Sequence, residues 1–170
     1  MSKDIKKIRD NIDLLDSKIL ELLNERAQEA VNISKEKQKT KDLDNFYNPE
    51  REAQVMRRIQ DLNQGPLSDK SILKLFREIM SSCLSLESPL KVSYLGPKGT
   101  YTHLATINHF GNSVLSNAFS SVEEVFTSVE KRDSHYGVVP VENSTQGIVS
   151  STLDMFMKSS LKIAGEIEII

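Results

Sequence analysis

Apolar residues recur at Ile5, Ile8, Ile12, Leu15, Ile19 and Leu22, and again at Ile33. Steps of three and four are the period of one helix face. The spacing therefore predicts a single amphipathic helix from about residue 3 to about residue 39. Such a helix is too long for a compact single domain, and its stripe needs burial against other helices or a second chain. Residues 39–46 break the pattern. Asn48 followed by Pro49 is an N-cap with proline at the first helical position, and it opens a second helix. The stripe of that helix is Glu52, Val55, Ile59 and Leu62, and Gln64-Gly65-Pro66 ends it. A third helix opens near Ser68 or Asp69, with the stripe Ile72, Phe76, Ile79, Cys83 and Glu87.

Beyond Pro89 the period changes. Residues 92–95 form a short strand, followed by the turn Gly96-Pro97-Lys98-Gly99-Thr100 and a helix through about Phe110. Ser121 and Glu124 make a capping box, which opens a helix to about Lys131. Residues 136–140 read as a buried strand, 141–147 as a polar loop, and a helix then runs to about Lys158. Residues 161–170 read as a final strand running off the chain end, as in a domain cut short. The alternation predicts an α/β lobe with parallel strands and right-handed crossovers. Residues 86–91 are the expected linker, since Pro89 prevents helix continuation. The expected domains are therefore 1–88, all helical, and 89–170.

Composition sharpens that division. The chain has 170 residues, 38% apolar and 27% charged, with a net charge of −2. Residues 1–88 hold 16 basic and 16 acidic side chains and one glycine, whereas 89–170 hold 6 and 8 with six glycines. No stretch approaches the roughly 18–20 apolar residues of a membrane span, and the N-terminus has no apolar signal core. The single cysteine, Cys83, excludes an intrachain disulfide, which points to the cytoplasm. One cysteine and three scattered histidines argue against a metal site. The near-neutral balance gives no footprint for nucleic acid.

Some charges fall on apolar stripes. Arg26 lies seven residues after Ile19 and seven before Ile33, and Lys37 lies eleven after Arg26 on the same side of the helix. Glu52 opens the second stripe and Glu87 closes the third. Each alone reads as a snorkelling side chain or a buried ion pair. Two cations and two carboxylates, all inward in one small helical domain, point instead to a site for a small anion, a carboxylate by preference.

These residues carry a resemblance. The stretches IRDNIDLLDSKILELLNERAQEAVNISKEK, YNPEREAQVMRRI and LFREIMSSCLSLE resemble the all-helical chorismate mutase family, across the whole first half. That family forms an intertwined dimer of three-helix chains, so the resemblance implies a homodimer. It also implies a concerted rearrangement of the dicarboxylate chorismate to prephenate, with no cofactor. By family match, Arg9, Arg26 and Arg51 clamp carboxylates, and Arg9 reaches into the partner's site. On its own helix Arg9 faces about 100° away from Arg26, which suits that role. Lys37 donates to the ether oxygen and Glu52 holds the ring hydroxyl. Glu87 stands where relatives often carry glutamine as a second donor to that oxygen. A carboxylate donates only when protonated, so activity is expected to rise as pH falls from about 8 towards about 5. Asn48 and Cys83 match weaker substrate-binding positions.

In the second half, Gly96-Pro97-Lys98-Gly99-Thr100 is either a tight strand-to-helix turn or an anion loop. Pro140-Val141-Glu142-Asn143-Ser144-Thr145-Gln146-Gly147 is either a polar turn or a ligand loop at a strand end. Together, YLGPKGTYTHLA and YGVVPVENSTQGIV resemble the prephenate dehydratase family, whose site lies between two lobes of periplasmic-binding-like type. Gly99, Thr100, Glu142, Asn143 and Ser144 match first-lobe positions lining that site. The order of the two halves resembles the bifunctional family of phenylalanine biosynthesis. The resemblance implies that the chain stops within the first lobe, that the catalytic threonine of a Thr-Arg-Phe motif lies beyond it, and that the lobe is inactive alone. The missing part would then be carried elsewhere, for instance on another chain. Two other readings stand beside the enzyme: a small-anion-binding lobe without chemistry, and a non-catalytic helical dimerisation module.

Overall fold

The structure, a computed structural model, describes residues 3–40, 47–143 and 147–169. It divides into two units, residues 1–46 and 47–170.

The first unit is one helix, α1 (Lys3–Thr40). Asp4 in its first turn and Lys37 and Lys39 in its last complement the helix dipole. Ile5, Ile8, Ile12, Leu15, Ile19 and Leu22 are between 45% and 63% exposed, so this half of the stripe remains open to solvent. Ile33 is also exposed. Covered positions gather further along, at Leu23, Arg26, Ala27, Ala30, Val31, Asn32, Ser34 and Lys37. All but Asn32 fall on one helix side, on which Arg26 and Lys37 are half-buried and Ser34 is buried. The break predicted over 39–46 begins later, since Lys39 and Thr40 still belong to α1; residues 41–46 lie outside the described residues.

The second unit begins with α2 (Pro49–Leu62) and α3 (Asp69–Glu87). Asn48 caps α2, its side-chain oxygen accepting from Arg51 N at 2.9 Å. Ser68 caps α3 in the same way from Ser71 N at 3.2 Å. Asn63 ends α2 in extended backbone and donates to Asp69 Oδ1 at 2.6 Å, tying the two helices together. Glu52, Val55 and Ile59 lie on the covered side of α2 as expected, but Leu62 is exposed. The helix stops there, so no further turn continues the covered side.

The α/β part follows: β1 (Lys91–Leu95), α4 (Tyr101–Phe110), β2 (Leu115–Phe119), α5 (Val122–Glu130) and β3 (Tyr136–Val138). A hairpin of β4 (Glu142–Asn143) and β5 (Gly147–Ile148) leads to α6 (Ser150–Lys158). The parallel sheet has the order β2-β1-β3. Val92 pairs with Ser116 on one side and Tyr136 on the other. The central strand holds the core: Val92, Ser93 and Tyr94 are almost wholly buried. Buried Ser93 is satisfied by donating to Tyr136 O at 3.2 Å. Ser121 and Glu124 form the capping box of α5. That helix lies so close to β3 that a Cβ on Gly137 would meet Val125 Cγ1 at 2.9 Å.

Two expectations are corrected, and one strand has no counterpart among them. Strand β2, as an edge strand, is largely exposed and carries Ser116 and Asn117, so it lacks an apolar signal. The strand expected over 136–140 is shorter and only half-buried, because it borders a single neighbour in this sheet. Residues 161–169 form no strand: alternation supplies the propensity, but a ladder needs a partner, and none pairs with this segment among the described residues.

The α/β part is docked on α3. Gly111 sits at φ +80, and a Cβ there would collide with Ser81 Cβ at 2.4 Å. Glu78 accepts from Asn112 N at 3.2 Å and Asn112 Nδ2 at 2.8 Å. Leu84 and Tyr47 pack on the core of Leu90, Val92 and Phe110. Among the described residues, no helix is long and apolar enough to cross a membrane.

Candidate functional sites

The residues singled out in the first half divide between the two units. On α1, Arg26 and Lys37 share a side eleven residues apart, about 20° round the helix. Lys37 lines an open cleft of about 880 Å³ together with Glu29, Asn32, Ile33 and Glu36. Arg9 lies on the exposed stretch of α1.

In the second unit, Arg51 opens α2, exposed, its Nη1 donating to Gln54 Oε1 at 3.4 Å. Asn48 is engaged as the helix cap, and Cys83 is buried in α3. Glu87 is half-buried at the last turn of α3.

Glu52 has the most built surroundings. Its carboxylate lies beside the Tyr47 phenol and faces Arg77 of α3. Burial raises its pKa above the ordinary carboxylate value, and the Tyr47 hydrogen bond and the Arg77 charge pull against that rise. The Tyr47 phenol is raised in turn, first by burial and then by the Glu52 charge. Arg77 also acts on His109 of α4, whose pKa is lowered by burial and by that guanidinium. The Nε of Arg77 is buried with no hydrogen-bond partner among the described residues.

Tyr47 and Arg77 escaped the sequence reading, although a signal existed for the first. With Asn48 as N-cap, Tyr47 is the residue before the cap and Glu52 is the fourth helical residue. Those two positions meet in the hydrophobic staple; here a phenol and a carboxylate meet instead.

In the α/β part, the two candidate loops leave neighbouring parallel strands at their C-terminal ends. Gly96–Thr100 follows β1, and the Pro140–Asn143 segment follows β3. In the order β2-β1-β3 the chain reverses direction across the sheet between β1 and β3. That is the topological switch point, where open α/β sheets bind ligands. Gly99 has φ +93, with nothing near its missing Cβ. Thr100 caps α4, and its Oγ1 lies 2.9 Å from Pro97 O and 3.0 Å from Thr102 Oγ1. Thr102 Oγ1 also donates to Leu95 O, closing the turn. Glu142 and Asn143 are exposed on β4, opposite Ile148 and Gly147. Ser144 lies outside the described residues. A second cleft, of about 450 Å³, lies along α5, beside Ser121, Glu124 and Lys131, and includes none of the predicted site residues.

Comparison with known proteins matches both halves. Residues 8–88 match the family "Chorismate mutase type II". Residues 92–170 match "Prephenate dehydratase". The chain is 49% identical over 168 residues to a protein of Pseudomonas aeruginosa named bifunctional chorismate mutase/prephenate dehydratase, covering 97% of this chain and 46% of that one. A protein of the same name from Aquifex aeolicus is 45% identical over 171 residues, covering 98% and 47%. One from Escherichia coli K12 is 30% identical over 181 residues, covering 94% and 45%. The chain thus spans about half the length of the curated relatives it matches.

Proposed function

Because residues 8–88 belong to the chorismate mutase type II family and residues 92–170 to the prephenate dehydratase family, we propose that the chain rearranges chorismate to prephenate with its helical half and contributes one wall of a prephenate-dehydrating site with its α/β half. The domain boundary then falls at 88/89. The single observation that carries the reading is the family match over the stretch in which charged residues interrupt apolar stripes.

The chemistry asks little of the protein beyond shape and charge. A concerted rearrangement needs no nucleophile and no base. It needs the compact conformer of a dicarboxylate held in place and negative charge on the breaking ether oxygen stabilised. Arg9, Arg26 and Arg51 clamp the carboxylates. Lys37 donates to the ether oxygen, Glu87 donates to it when protonated, and Glu52 accepts the ring hydroxyl. Asn48 and Cys83 border the substrate more weakly, the first mainly as a cap and the second mainly as packing.

The site is completed in a homodimer, with Arg9 serving the partner subunit. The exposed Ile5–Leu22 stripe supports this: six large apolar side chains on one helix side are the kind of surface that an obligate dimer buries. In the α/β half, a lobe of periplasmic-binding-like type presents Gly99, Thr100, Glu142, Asn143 and Ser144 to prephenate at the switch point. The enzyme works in the cytoplasm.

A dicarboxylate mimic of the bicyclic transition state separates this reading from a non-catalytic dimerisation module. The mimic should raise the melting temperature of the chain and should fail to do so in Arg26→Ala. A melting temperature unmoved by the mimic at saturating concentration would contradict the reading.

A further inference from the structure

We infer that Tyr47 is a positioning residue for Glu52, and that the α/β half, by seating the Tyr47 ring, sets the geometry of the chorismate site in the helical half. The inference rests on Glu52 holding the substrate hydroxyl, as proposed above.

Tyr47 has two engaged ends. Its ring lies 5.8 Å from Phe110 at the end of α4 and 5.3 Å, edge-on, from Tyr136 of β3. Phe110 and Tyr136 also lie 5.4 Å apart, so three rings close on one another. The group packs on Leu90 and Val92, the start of the α/β core. Aromatic rings in such tilted and edge-on arrangements are fixed in orientation by their quadrupoles as well as by burial. The other end is the hydroxyl, which lies beside the Glu52 carboxylate, as the placement of the two residues just before the cap and at the fourth helical position of α2 brings them together. Tyr47 immediately precedes the N-cap of α2, where Asn48 is already engaged.

A glutamate on a helix surface has three side-chain torsions to fix before it can receive a substrate hydroxyl. A phenol held beside it can donate to one of its acceptor sites and leave the others for a ligand. Arg77, on α3, faces both groups and keeps a negative charge favoured at Glu52. The same α3 is pinned to the α/β half by Gly111 against Ser81 and by Glu78 on Asn112. Both supports of Glu52 are therefore anchored in the α/β half. An aspect of mutase substrate binding is set by residues outside the mutase domain.

The test is steady-state kinetics of the full chain with Tyr47→Phe, Glu52→Gln and the double variant. Phenylalanine keeps the ring in its seat and removes only the hydroxyl. A pre-aligned acceptor acts on bound substrate and transition state alike, so its loss falls on KM. Tyr47→Phe should raise KM for chorismate about three- to tenfold with kcat within about twofold and leave the melting temperature unchanged. It should add nothing to Glu52→Gln, because both remove one unit. A purely structural tyrosine would not show that non-additivity. Wild-type KM in Tyr47→Phe, with Glu52→Gln impaired, would overturn the positioning role and spare that of Glu52. Wild-type KM in Glu52→Gln would overturn both, while the mutase reading would still stand on Lys37. A wild-type chain without turnover would overturn the function and this inference with it.

Discussion

Among single residues, Lys37 and Arg26 are the clearest tests of function. Each sits half-buried on one side of α1, and each would form a charge-assisted hydrogen bond of about 1.5–3 kcal/mol to the substrate. Replacing either with alanine should lower kcat/KM by about ten- to a hundredfold and leave the melting temperature in place. A structural ion pair would instead lose stability along with activity. Glu87 makes a pH prediction. In the proposed role it would help the ether oxygen only as a donor, so turnover should rise on acidification and Glu87→Gln should flatten that rise. The rise should end once Glu52 takes up a proton, which burial makes it do at a higher pH than an ordinary carboxylate. A wild-type rate independent of pH would contradict the role of Glu87. The charges on the stripes were legible in the sequence because a charge at an apolar position is a visible violation of a period. The Tyr47–Glu52 pair was not, because its signature is a spacing normally read for apolar side chains, and Arg77 acts only through tertiary packing.

At the scale of elements, local chemistry decided what could be read. The caps at Asn48, Ser68 and Ser121 announce their helices through side-chain oxygens that accept backbone N–H groups, and all three were readable. Strand β2 was not, since an edge position asks for little burial, and the expected strand over 161–170 rested on alternation without a partner. The contact of α3 with the turn after α4 was equally hidden, although it constrains Gly111 most. With φ 80 and ψ 179, this glycine occupies a region that other residues avoid. Gly111→Ala should cost about 3 kcal/mol or more, from backbone strain and the clash with Ser81, read as a lower denaturant midpoint. An unchanged midpoint would mean that α3 and the α/β part are not in close contact there. His109 adds a stability prediction. Its folded pKa lies below the ordinary 6.5, so the unfolded chain takes up a proton that the folded one resists. The stabilisation is complete above about 6.5 and is lost as pH falls through the depressed value. The melting temperature should fall on acidification from about 6.5 towards that depressed value, and less so in His109→Gln. Equal falls in both proteins would exclude His109 as the cause.

For the whole molecule, the order of a helical half and an α/β half was legible from the change of hydrophobic period near Pro89 and from the glycine distribution. The closeness of α3 to the α/β part was not, because it depends on which surfaces fold against each other. The exposed half of the α1 stripe predicts a dimer at micromolar concentration by sedimentation; a folded monomer there would overturn the proposed role of Arg9 in a partner subunit. The central claim is mutase catalysis by the helical half, and the direct measurement is chorismate consumption by the purified chain beside Lys37→Ala. Prephenate should form at a rate proportional to protein and fall at least about tenfold in the variant, with both proteins equally folded. A folded wild-type chain that converts chorismate no faster than the spontaneous rearrangement would contradict the account.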